Sequence, residues 1–129
     1  MTILVNWESL YSDGNTYPNA EPIPNDLKQF VDKFISTLVS DEIILPIITL
    51  LQDELQDDPA KWLGVSLEWR INHINLKIEL KDNSLTILYN NSGSYLGAHA
   101  PIQFESSSSI RKLERVVQHF LFPQKPLFA

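Results

Sequence analysis

Glu68 and Glu79 are the two side chains in this 129-residue chain whose spacing most suggests chemistry. Each falls on the polar side of a period-two pattern, Val65, Leu67 and Trp69 in one run and Leu76, Ile78 and Leu80 in the next. Two antiparallel strands with that alternation bring both carboxylates onto one face. Neighbouring carboxylates can push one pKa upward and divide acid and base work between them. Arg70 and Lys77 share the face, however, and opposite charges across a strand pair stabilise a sheet by up to about 1 kcal/mol. A charge ladder is the favoured reading, with acid/base catalysis beside His73 as its alternative.

The other candidate groups are sparser. His73, His99 and His119 are too far apart in sequence to form a zinc pair on one helix or strand, so no metal site is expected. Ser92-Gly93-Ser94 lacks the frame of a nucleophile elbow. Four glycines cannot build a phosphate-cradling loop or a dinucleotide fingerprint, so no cofactor is expected.

Binding offers more. Asp41, Glu42, Asp53, Glu54, Asp57 and Asp58 lie in a stretch without Lys or Arg, and the net charge is -6. Such a surface repels phosphate backbones, which argues against direct nucleic-acid binding, and it suits a basic protein partner. The plainer alternative is that these carboxylates only solvate helix ends. Trp69 alternates onto the apolar side and reads as core. Trp7 and Trp62 lie outside the regular periodicity, as interface anchors or as clamps for an N-terminal arm. Asp53, Glu54, Asp57, Asp58, Trp62 and Trp7 are therefore the candidate partner-binding residues.

These residues must be positioned by one domain covering 1–129. Turn signals at Asp13-Gly14, Tyr17-Pro18, Pro22 and Pro24 make 1–25 an ordered arm. A helical part over 26–56 follows. Asn25 is expected to cap a helix with the stripe Leu27, Phe30, Val31, Phe34, Ile35 and Leu38, and Ser40-Asp41 offers a second cap. Pro46 belongs in a helix's first turn or in extended chain; a helix from about Pro46 to Gln56 is the favoured choice.

The sheet is expected over 64–104. Leu85, Ile87 and Tyr89 continue the meander, with turns near Asn72-His73 and Asp82-Asn83 and a loop over 90–94. The candidate for a fourth strand is a short edge strand within 95–104, interrupted by Gly97 and Pro101. A C-terminal helix over 107–121 has the stripe Ile110, Leu113, Val116, Val117, Phe120 and Leu121, opposite Arg111, Lys112, Glu114 and Arg115. The fold class is α+β: an antiparallel three- to four-stranded meander with two or three helices on one face.

Size and 43% hydrophobic content suffice for a real core. The chain has no cysteine, hence no disulfide scaffold, and no apolar run long enough for a membrane span. Met1-Thr2-Ile3-Leu4-Val5-Asn6-Trp7 has no basic flank before a sustained apolar stretch, so a cytoplasmic location is expected.

The order Trp7, Asp13-Gly14, Ala20-x-Pro22-Ile23, amphipathic helix, Gly64-Val65-x-Leu67-Glu68-Trp69 and Leu76-x-Ile78-Glu79 resembles a loose group of small, uncharacterised bacterial proteins over about residues 7 to 90. Those have a Trp-Asp-Gly segment, an Ala-x-Pro-Ile and a Gly-Gly-Val-x-Leu-Glu-Trp strand; here Trp7 and Asp13 are farther apart and Leu63-Gly64 replaces the glycine pair. The resemblance implies a small accessory protein of bacterial or phage origin and transfers no catalytic residue. The expected function is a non-enzymatic protein-binding module that masks a partner, as an immunity protein, antitoxin or phage-encoded inhibitor does. The alternatives are a small enzyme on the polar sheet face and an oligomeric structural subunit, such as a homodimer, paired through a sheet edge.

Overall fold

Apolar residues at every second position build a five-stranded antiparallel sheet whose spatial order equals the chain order, with two-residue turns joining the last four strands. The computed structural model describes residues 5–12, 23–52 and 62–121. Its elements are α1 (Trp7–Ser12), α2 (Asn25–Ser40), β1 (Ile47–Gln52), β2 (Trp62–Ile71), β3 (Ile74–Lys81), β4 (Ser84–Asn91), β5 (Ser94–Pro101) and α3 (Ser107–Leu121). The chain is thus α+β as expected, with five strands rather than three or four.

Residues in the left-handed region make the tight connections. Asp82 and Asn83 (φ 49° and 52°) turn β3 into β4, and Ser92 and Gly93 (φ 53° and 92°) turn β4 into β5. Positive φ at both central residues matches the twist of the flanking strands. The expected loop over 90–94 is therefore a two-residue turn.

Register follows burial. Leu67 lies opposite Ile78 and Ile78 opposite Ile87; Trp69, Leu76 and Tyr89 form a parallel row, as do Val65, Leu80 and Leu85. On this inner face they join Leu27, Phe30, Val31, Phe34, Ile35 and Leu38 of α2 and Ile110, Leu113, Val117 and Leu121 of α3 in one buried cluster, with Tyr89 half-buried against it. Gly64 is required by close approach: a Cβ there would collide with the carbonyl oxygen of Leu80 and lie 2.8 Å from the Lys81 Cβ.

Three local expectations are corrected. Residues 47–52 form a strand, not a helix. Ile48 and Leu50 turn inward opposite Leu67 and Val65 and pack against the core, whereas Ile47 is exposed. A β-branched Ile-Ile-Thr run behind Pro46 suits this pleat better than a helix. Pro24, not Asn25, holds the N-cap position of α2, without a side-chain cap. Ser40-Asp41 starts no second helix; Asp41 is the C-cap of α2. Among the described residues, no helix is long and apolar enough to cross a membrane.

Candidate protein-binding surface

The end of α2 sets up an apolar surface. Glu42 N–H donates to the Val39 carbonyl (3.2 Å) and Ile43 N–H to the Leu38 carbonyl (2.8 Å), with Glu42 at φ 57°. This is the Schellman stop, which normally places glycine where Glu42 stands. Buried Ile43 and Leu38 supply its usual hydrophobic contact. The indole Nε1–H of Trp69 then donates to the Ile44 carbonyl at 2.7 Å, fastening the segment to the core. Its backbone is held, yet Ile44, Leu45 and Ile47 are 51%, 47% and 54% exposed. Exposed Asp41 and Glu42 precede these three side chains, and the acidic run of Asp53, Glu54, Asp57 and Asp58 begins one residue after β1 ends.

The outer, polar face of the sheet is internally paired. Glu68 lies opposite Lys77 and Glu79 opposite Ser66, so the two carboxylates are diagonal neighbours. Glu68 Oε1 accepts from Arg70 Nη2 at 3.1 Å and Oε2 from Asn75 Nδ2 at 2.9 Å. The Asn75 hydrogen bond, followed by that of Arg70, lowers the Glu68 pKa against the opposing effect of burial. Lys77 Nζ lies 3.7 Å from Glu79 Oε2. This is a charge ladder, and it holds Glu68 ionised rather than poised to donate a proton.

The histidines stand apart: His73 in the β2–β3 turn, His99 on β5 bonded to Thr86 Oγ1 through Nδ1 (3.0 Å), and His119 near the end of α3, edge-on to Phe120. Among the described residues, no three His, Cys, Asp or Glu side chains are grouped to hold a metal.

Of the candidate partner-binding residues, Trp7 is half-buried against the core, and its Nε1–H donates to Asp32 Oδ1 at 3.3 Å. The same carboxylate oxygen accepts from Val5 N–H at 2.9 Å, so Asp32 ties the start of α1 to α2. Trp62 opens β2 opposite Gln52, where the register shifts by a bulge. Asp53, Glu54, Asp57 and Asp58 lie outside the described residues.

Sequence reasoning missed Ile44, Leu45 and Ile47 as candidates, because a helix over that segment would have turned part of the set inward. It also placed Glu114 on the solvent side of α3. Glu114 is buried, because it lies four residues after Ile110 and three before Val117, on the apolar stripe itself. Its Oε1 accepts from Arg111 Nη1 at 3.0 Å, and Arg111 reaches Asp41 Oδ2 at 3.5 Å across to α2. Burial, followed by the neighbouring Asp41, raises the Glu114 pKa. No family model, no curated protein and no solved structure matches this chain.

Proposed function

We propose that this protein is a non-enzymatic binding module that masks a basic protein partner. The supporting observation is the fastened but outward-facing trio Ile44, Leu45 and Ile47 beside an acidic stretch of sequence. Preorganised apolar side chains lose little conformational freedom on docking, and the chain's excess of carboxylates steers a cationic partner. The apolar trio then slows release, while the acidic charge accelerates encounter and makes it salt-dependent. An immunity protein, an antitoxin and a phage-encoded inhibitor all work by such occlusion.

The test is capture by the tagged full chain from its host lysate at low and high salt, repeated with two variants. Joint charge reversal at Asp53, Glu54, Asp57 and Asp58 should abolish low-salt capture. Joint replacement of Ile44 and Ile47 by Ser should lose the same protein through faster dissociation. A retained protein indifferent to both changes would overturn the reading.

A further inference from the structure

The sheet ends in two edges that are treated differently. At β1, Pro46 precedes the strand, a register shift interrupts it between Leu51 and Gln52, and α1 packs beside it. Prolines, bulges and covering elements all guard an edge against pairing. Among the described residues, β5 has none of these along its length. It pairs with β4 without a register shift from Ser94 to Pro101, its only proline is the last residue, and all eight residues are exposed.

The direction of the free backbone groups follows from the ladder. Ile102 N–H donates to the Asn83 carbonyl, which makes that pair hydrogen-bonded, and antiparallel pairs alternate. Carried along the register, Ser94, Leu96, Ala98 and Ala100 face β4 with their amides. Tyr95, Gly97 and His99 direct both N–H and C=O outward. These three residues are symmetric about Gly97.

We propose that β5 pairs with β5 of a second copy of this chain, antiparallel about a two-fold axis at Gly97. In that register Gly97 faces the second copy's Gly97 and Tyr95 faces the second copy's His99, at both ends. The outward N–H and C=O groups of these three residues are satisfied on each chain, giving six hydrogen bonds, a count that follows from the alternation.

The side chains fit the same axis. Tyr95 is 79% exposed, and next to it a shallow groove of about 390 Å³ is lined by Leu88, Tyr95, Leu96 and Gly97 together with Asn75 and Lys77. A Cβ at Gly97 would meet nothing within 4 Å. On pairing, the two glycines form a trough between Leu88 of one copy and Leu88 of the other, where both Tyr95 rings can lie; aromatic cover of edge glycines is a known stabilising device. On the inner face Leu96, also exposed, meets Ala98 of the second copy. Charge permits the contact despite the net charge of -6, because neither β4 nor β5 contains Asp, Glu, Lys or Arg. The dimer is a continuous ten-stranded sheet with the Ile44–Ile47 surfaces at its two far ends.

Sedimentation of the full chain from the low micromolar to the submillimolar range tests this, because an edge this short buries less than the roughly 800 Å² per partner of a standard interface. A monomer–dimer equilibrium is expected. Gly97→Pro removes an outward N–H while leaving the β4 ladder whole, and should weaken dimerisation roughly tenfold or more. His99→Lys, an edge charge, should weaken it too, with unchanged circular dichroism in both variants. The chain has no native cysteine, so Gly97→Cys provides a direct register probe and should form a disulfide-linked dimer where Thr49→Cys on β1 does not. A monomer at every concentration, a dimer unaffected by both edge substitutions, or cross-linking through position 49 instead would overturn the proposal. The β5 variants leave the Ile44–Ile47 surface untouched, so failure here leaves the masking reading standing.

Discussion

Glu114 is a carboxylate held on the buried face of α3, with Oε1 bonded to Arg111 and Oε2 without a hydrogen-bond partner among the described residues. Burial and then Asp41 raise its pKa above the ordinary carboxylate value. A raised folded-state pKa means that the fold binds this proton more tightly than the unfolded chain, so the group's effect on stability becomes less favourable as pH climbs from the ordinary value through the folded one. Glu114→Gln keeps an oxygen for Arg111 and supplies N–H donors toward Asp41. It should raise stability by about 1 kcal/mol at neutral pH, with the advantage shrinking in acid as Glu114 itself becomes protonated. Thermal melts across pH check both size and sign. Glu114 was misplaced from sequence because its charge was weighted above its position, although its spacing from Ile110 and Val117 put it on the stripe. The Glu68 ladder was legible, because the period-two pattern fixed its neighbours.

At the scale of elements, α2 and α3 and the three central strands were readable because each has one buried side and therefore one clear period. The segment 47–52 was not, since Ile44, Ile47, Ile48 and Leu51 satisfy helical spacing, whereas the two side chains that turn inward in the strand, Ile48 and Leu50, are too short a period-two signal to stand out before pairing with β2. β5 was half-legible: with every residue exposed and four of its eight being Gly, Ala or Pro, no burial pattern marks it. The exposed trio was invisible for a related reason, because its exposure is set by how α2 stops. That stop is strained. A left-handed conformation costs an L-residue such as Glu42 roughly 1–2 kcal/mol, and glycine avoids this at some cost in unfolded-state entropy. Glu42→Gly should therefore stabilise the fold by about 0.5–1 kcal/mol and raise the melting temperature by a few degrees, while partner capture weakens through loss of a carboxylate beside the trio. Urea titration and salt-dependent capture, run on the same variant, read the two effects separately.

For the molecule as a whole, the sheet order repeats the chain order, and every strand pairs with its sequence neighbour. The long-range closure is the contact of α2 with α3, elements on either side of the whole sheet in sequence, and it includes the Arg111 link to Asp41. Local hairpins cost little loop-closure entropy, so they should zip early and the helices dock late. Asn83→Ala, which puts a poor left-handed residue in the β3–β4 turn, should slow refolding; Arg111→Ala should leave refolding nearly unchanged and act on the unfolding limb. Stopped-flow chevrons distinguish the two. The same ordering bears on synthesis. The strands leave the ribosome before α3 does, so the nascent sheet holds Leu76, Ile78, Leu80, Leu85 and Ile87 with only α2 to cover them until residue 121 has emerged. Throughout that interval the half-covered sheet presents apolar surface of the kind that promotes aggregation, and docking of α3 is the step that ends its exposure.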